Sequence, residues 1–249
     1  MFQAPRHKSG EGLLSCASQS KDLHDSDRCQ RPPINRQVLS DSSHGHEKHM
    51  PHINRDLHGM APDKSPVVLI MLDVINDLVF PEAEDLLRYA LPMAPHLKDL
   101  RSRAVSAGVP VVYVNDNYGK WRSDFRAMVD HCIDDGTRGR EIVELLRPSE
   151  EDYFVLKPKH SGFYSTTLDI LLAHLEARTL VITGIAGNIC VLFTANDAYM
   201  RDYRVVVPCD CVASNCVEDN EFALRQIERV LKGDVRPSTE LDFDKLARE

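Results

Sequence analysis

The stretch that decides the fold is Leu180–Ser214, "LVITGIAGNICVLFTANDAYMRDYRVVVPCDCVAS". It begins inside a short continuous apolar run, "TLVITGI" over 179–185, as expected of a strand covered on both faces. A glycine-bearing turn follows, then apolar positions at helical spacing from about 188 to 202. A second apolar run, "RVVVPCDCV" over 204–212, reads as the next strand. Cys190 falls just inside the helix, straight after the buried strand. Such a thiol is either packing material or a nucleophile held at a helix N-terminus, and the rest of the chain has to decide.

Working outward, the same alternation extends in both directions. "SPVVLIMLDV" (65–74), "VPVVYVND" (109–116) and "YFVLK" (153–157) read as further strands. Helices are expected over 82–106, ending at Gly108, and over 121–131, 139–147, 166–177 and 217–232. Strands alternating with helices imply α/β architecture: a three-layer, Rossmann-like fold with a mainly parallel central sheet flanked by helices. In such sheets ligands bind beyond the carboxyl ends of the strands. Neither a G-x-G-x-x-G nor a P-loop is present, which weakens a dinucleotide-binding oxidoreductase as a reading.

This pattern places the folded domain at 65–233, with 234–249 set apart as a C-terminal tail. Residues 1–64 are polar, rich in Ser, Asp, Arg and His, and lack sustained periodicity. They are expected to form a disordered extension, because they bury too little apolar surface to offset the entropy of ordering. His44, His46, His49 and His52 invite a metal reading that a flexible tract does not preorganise. Translation from Met50 or Met60 is an alternative account of the same stretch.

The 249 residues carry a formal net charge of -8 and are 43% hydrophobic. An acidic balance argues against a nucleic-acid partner, whose footprint is a basic face. No apolar run has membrane-spanning length, and no signal-peptide order opens the chain. The seven cysteines are an odd count without framework spacing, which fits reduced thiols. The expectation is a soluble, cytoplasmic protein that meets neither membrane nor nucleic acid.

The carboxyl-end rule brings three reactive side chains to one sheet edge. The first strand ends in Asp73, the third in Lys157, and the fourth runs through Gly184 into the turn before Cys190. Each alone has an ordinary explanation: a cap, a solvated charge, a small buried residue. Together they make coherent chemistry. A helix N-terminus and a nearby cation favour the thiolate. Asp73 would take the thiol proton and return it to a leaving group, Lys157 would hold Asp73 and stabilise the thiolate, and the "GIAGN" turn would offer backbone N–H groups to an oxyanion.

Three blocks, "VLIMLDVINDL" (68–78), "VLKPKHSGFYSTTLDILL" (155–172) and the 180–214 stretch, resemble the signature blocks of the isochorismatase-like cysteine hydrolase superfamily, in order and spacing. The resemblance covers roughly 65–232. It implies Cys190 as nucleophile, Asp73 as general base and Lys157 as third member of the triad, with the backbone N–H groups of Ala186 and Cys190 as the oxyanion hole. It further implies a cis peptide between Ile185 and Ala186, and a homo-oligomer. Lys159 is a second candidate amine, but the spacing to "SGF" favours Lys157.

Two departures stand out. A glutamine common in the family two residues after the aspartate is here Ile75, although Asn76 and Asp77 fit. Nicotinamidases carry an Asp-x-His metal motif after the second strand, whereas "VNDNYGKWRSDF" (114–125) holds no histidine. No metal and no other cofactor is therefore expected, and nicotinamide becomes a poorer substrate guess. Asn117, Trp121, Phe163 and Tyr164 are candidates to line the substrate pocket, and Asp116 either binds a substrate amine or amide or caps the next helix. Cys209 and Cys211 are placed on one face of a strand, as packing residues.

The expected function is that of a metal-independent hydrolase cleaving a small-molecule amide C–N bond through a thioester on Cys190. The alternatives are vinyl ether hydrolysis of the isochorismatase type, which needs the acid but not the thiol, and a non-catalytic scaffold.

Overall fold

A computed structural model of the chain describes residues 64–117 and 124–249. The expected polar extension over 1–63 lies outside these residues, as do Tyr118 and Trp121. Among the described residues six strands form one sheet: β1 (Val67–Leu72), β2 (Val111–Asp116), β3 (Tyr153–Lys157), β4 (Thr179–Ile185), β5 (Arg204–Val206) and β6 (Val212–Ala213). The order is β3-β2-β1-β4-β5, with β6 also pairing β4, and every pairing is parallel.

The continuous apolar run of β1 is explained by its central place. Val67, Leu69 and Met71 enter one core, and Val68, Ile70 and Leu72 the core on the opposite face. The first core is roofed by α1 (Ala83–Ser106), α2 (Phe125–Asp134) and α3 (Arg140–Leu145). The second is roofed by α4 (Leu168–Leu175), α5 (Leu192–Tyr199) and α6 (Val217–Arg229). In α1 a buried stripe of Leu86, Ala90, Met93, Leu97, Leu100 and Ala104 holds the helix through Pro92 and Pro95, each of which lacks a backbone donor.

Two expectations need correction. The fifth strand does not run from 204 to 212. It ends at Val206; Cys211 N–H then donates to the Pro208 carbonyl (3.0 Å), and the chain rejoins the sheet as β6. Cys209 and Cys211 therefore sit in a turn, not on a strand face, with Cys211 buried. Nor is 234–249 a tail. Leu241, and Phe243 and Leu246 of α7 (Phe243–Arg248), are buried in the first core. Arg103 donates to the carbonyls of Leu241 (3.0 Å) and Ser238 (2.8 Å), and Ser238 donates twice to the Asp210 carboxylate. Three apolar residues within six positions were the signal that this segment packs.

The chain moves from β1 outward through β2 to β3, then returns to place β4 on the other side of β1. A crevice at the carboxyl edge between β1 and β4 is the expected consequence of that reversal.

Candidate active site

The register of the sheet assembles the site. Asp116 of β2 lies opposite Lys157 of β3, and Leu72 of β1 opposite Gly184 of β4. Asp73 follows immediately, its N–H extending the ladder to the Val114 carbonyl (3.0 Å). Its backbone is left-handed, φ 52°, a conformation Asp tolerates better than most residues. That turn aims its carboxylate across to β2, where Oδ1 accepts the Asp116 N–H at 2.7 Å. Gly184, at φ 110°, is required on the facing strand: a Cβ there would stand 2.0 Å from the Leu72 carbonyl oxygen.

Beyond β4 the Ile185–Ala186 peptide is cis, and the chain enters a π turn over Gly187–Val191 before α5 begins. The Ala186 carbonyl accepts from both Ile189 N–H (3.1 Å) and Val191 N–H (3.2 Å), the second bond spanning five residues. A uniform helix from 188 was the expectation; the π turn replaces its first part. Behind it, Asn188 N–H donates to Ser214 Oγ (3.1 Å), which donates to Asn220 Oδ1 (3.0 Å). Gly187 permits that approach, since a Cβ would meet Asn220 Oδ1 at 2.4 Å.

Lys157, Asp73 and Cys190 converge. The Lys157 ammonium, 0% exposed, stands 2.8 Å from Asp73 Oδ2, 3.4 Å from Cys190 Sγ and 3.8 Å from Asp116 Oδ2. Burial pushes the Cys190 thiol up to about 12, the Asp73 charge adds to the rise, and Lys157 opposes it. Burial likewise lifts Asp73 above its ordinary value, against the pull of Lys157 and of hydrogen bonds from Cys190, Lys157 and the Asp116 amide. For Lys157, burial alone would lower the ammonium, but the charges of Asp73 and Cys190 outweigh it and the net direction is up. Cys190 thus rests as a thiol in contact with the Asp73–Lys157 pair. This arrangement can move the thiol proton to Asp73 as sulfur attacks an electrophile.

A cleft of about 250 Å³ opens onto these groups, lined by Asp73, Asn76, Leu86, Asp116, Ile185, Ala186 and Cys190. Other candidates are placed elsewhere. Phe163 is buried in the second core, its ring 4.5 Å from the Arg201 guanidinium and 6.2 Å from Tyr203. Tyr164 is exposed and carries Lys159 over its ring at 5.5 Å, so Lys157 is the lysine that enters the cluster. Asn117 is buried, its N–H donating to the Lys157 carbonyl (2.9 Å). Asp116 does not cap the next helix: Asp124 does, accepting from Arg126 N–H at 2.8 Å. Leu86 was not anticipated, although a helix that follows β1 must start at the carboxyl edge. Among the described residues no group of three or more His, Cys, Asp or Glu side chains is arranged to hold a metal ion.

Comparison with known proteins agrees with this architecture. Residues 67–235 match the family described as Isochorismatase domain. The uncharacterized isochorismatase family protein YaaI of Bacillus subtilis (strain 168) is 45% identical over 172 residues, 69% of this chain and 94% of that protein. Ureidoacrylate amidohydrolase RutB of Methylorubrum extorquens is 43% identical over 94 residues, 37% of this chain but only 38% of that enzyme. The crystal structure of N-carbamoylsarcosine amidase from Thermoplasma acidophilum aligns with TM-score 0.54 and 29% identity, covering 71% of this chain and 98% of that one. An isochorismatase family protein from Desulfovibrio vulgaris aligns with TM-score 0.60 and 28% identity, covering 74% and 100%. The chain belongs to the isochorismatase family and is a hydrolase of that family.

Proposed function

We propose that this hydrolase cleaves the C–N bond of a small-molecule amide through a thioester on Cys190. The observation that carries the reading is the wholly buried Lys157 ammonium held between Asp73 Oδ2 and Cys190 Sγ. Sulfur attacks the carbonyl carbon while the thiol proton passes to Asp73. The backbone N–H groups of Ala186 and Cys190 stabilise the oxyanion, in the role the resemblance assigns them. The tetrahedral adduct collapses, the C–N bond breaks, and Asp73 returns the proton to the departing nitrogen. Water, deprotonated by Asp73, then adds to the thioester, and the acid leaves as the thiol is regenerated. Lys157 keeps its charge throughout, which stabilises the developing thiolate without competing for the proton. The names of two relatives, an amidohydrolase and a carbamoyl amidase, support an amide over an ester or ether.

The test is intact-protein mass spectrometry on a panel of small amides and esters, comparing wild type with Cys190→Ala. A substrate-dependent adduct on Cys190, absent from the variant, is the expected result. Turnover of a panel member that persists in the variant would rule out the thioester route for that compound, and would favour chemistry that needs the acid alone.

A further inference from the structure

Lys157 and Cys190 reach the site on different segments. Lys157 ends β3 and leads into the 158–167 connection, whereas Cys190 sits in the turn ahead of α5. Their separation of 3.4 Å therefore depends on how those two backbones are held together.

Thr194, one turn after Cys190 and 0% exposed, makes the link. Its Oγ1 donates to the Cys190 carbonyl at 2.7 Å and accepts the Gly162 N–H at 2.9 Å. A threonine bonded to the carbonyl four residues back is common in helices and by itself says little. Here the same hydroxyl also accepts from a second segment, using its proton on the cysteine and a lone pair on the lysine's own loop. No methyl-for-hydroxyl replacement reproduces both contacts.

Packing fixes the loop at that point. A Cβ on Gly162 would stand 3.1 Å from Val114 Cγ1, 3.2 Å from Leu168 Cδ2 and 3.5 Å from Thr194 Cγ2, so β2, α4 and α5 enclose it. A second pin lies next to the first: Ser161 Oγ donates to Asp197 Oδ2, and Arg201 bonds Asp197 in turn. Ser161, Gly162, Thr194 and Asp197 thus bind the lysine loop to the cysteine helix through two neighbouring hydrogen bonds.

We propose that Thr194 is a positioning residue: its hydroxyl sets the separation of Lys157 and Cys190, and through it the readiness of the thiol to ionise and react. The consequence for turnover rests on the reading of Cys190 as nucleophile, but the effect on the thiol does not. Cation–thiolate attraction falls with distance, so a loosened loop leaves the thiol less ionised.

The experiment uses the full chain and iodoacetamide as probe. The rate of Cys190 alkylation at pH 8 is followed by peptide mass spectrometry, which separates it from the other cysteines, with circular dichroism to verify folding. Thr194→Val is expected to react about tenfold more slowly, equivalent to one unit in the thiol pKa. Thr194→Ser, which keeps the oxygen and loses the methyl, is expected to restore the rate to within about twofold. A folded Thr194→Val that alkylates at the wild-type rate overturns the proposal, as does a Thr194→Ser as slow as the valine variant. If valine is not tolerated, Thr194→Ala is read by the same criteria. Wild-type turnover of the amide panel by Cys190→Ala would sink the nucleophile reading instead, and leaves the alkylation result to judge Thr194 separately.

Discussion

Lys157→Met is the sharpest test of the buried charge cluster. The substitution shortens the side chain by one atom and keeps most of its volume, so little cavity is made, but it deletes a charge that has no access to solvent. At 2.8 Å and an effective dielectric of about 20, the attraction between Lys157 and Asp73 is roughly 6 kcal/mol. Desolvation already consumes part of that, and breaking a buried pair from one side costs about 3–5 kcal/mol. For a domain of this size the cost appears as a fall in Tm of roughly 6–20 °C near neutral pH.

The pH dependence separates this cause from simple misfit. A carboxyl raised in the folded state adds stability that is fully present below its ordinary value and is lost as pH rises through the folded value. Without Lys157, Asp73 rises further, so the deficit of the variant should be largest at neutral pH and shrink as acid protonates Asp73. Adding Asp73→Asn to Lys157→Met should recover most of the loss, because the buried carboxylate is then removed along with its partner and Asp116 is a third exposed. Thermal melts of the single and double variants between pH 5 and pH 8 decide the matter. A deficit that stays constant across this range, or a double variant less stable than Lys157→Met, would refute the argument.

Three further outcomes follow from the same geometry. Gly184→Ala forces a Cβ to within 2.0 Å of the Leu72 carbonyl at φ 110°, and should lower stability by about 3 kcal/mol or more in chemical denaturation. Because burial holds the Cys190 thiol at about 12, its alkylation rate should rise about tenfold per pH unit from pH 7 to 9, and a plateau near pH 7 would contradict the site's electrostatics. His131 bonds Asp135 (2.6 Å) and Asp77 (3.3 Å), and the bond to Asp135 is the chief cause of its upward shift. Its contribution to stability is fully present below its ordinary value of about 6.5 and is lost as pH rises through the folded value, so His131→Ala should cost more at pH 6 than at pH 9 in thermal melts.

The first four strands, the long first helix and the three reactive residues at or beyond strand ends were legible because each rests on a local pattern: apolar runs of strand length, a helical stripe, and polar residues where the runs stop. What was not legible depends on neighbours. Nothing in "GNICV" marks a π turn, which forms where β4, β6 and the Ser214–Asn220 pair hold the backbone. Asp116 looked like a cap because it precedes a helix; Asp124, beside the first turn, fills that role, and Asp116 is left beside Lys157. Phe163 looked like a pocket wall because it follows Lys157 closely, yet the loop's turn at Ser161 sends the ring into the second core.

The chemistry itself is a consequence of register. Side chains alternate faces along a strand, so slipping β3 by one residue against β2 would replace Lys157 with Leu156 or Pro158 opposite Asp116 and aim the amine at the other face. The register is fixed by residues that lie outside the cleft. Val111, Tyr113 and Val155 are buried on their faces, and Tyr113 Oη is committed to the Leu146 carbonyl at 2.8 Å. The same holds for β1 against β4, where Leu72 meets Gly184 and leaves Asp73 and the turn to Cys190 as the next residues out. The apolar runs that first identified the fold are thus also what sets an acid, an amine and a thiol within reach of one another. A substitution deep in the sheet that shifts register should abolish reactivity at Cys190 without touching any residue of the cleft.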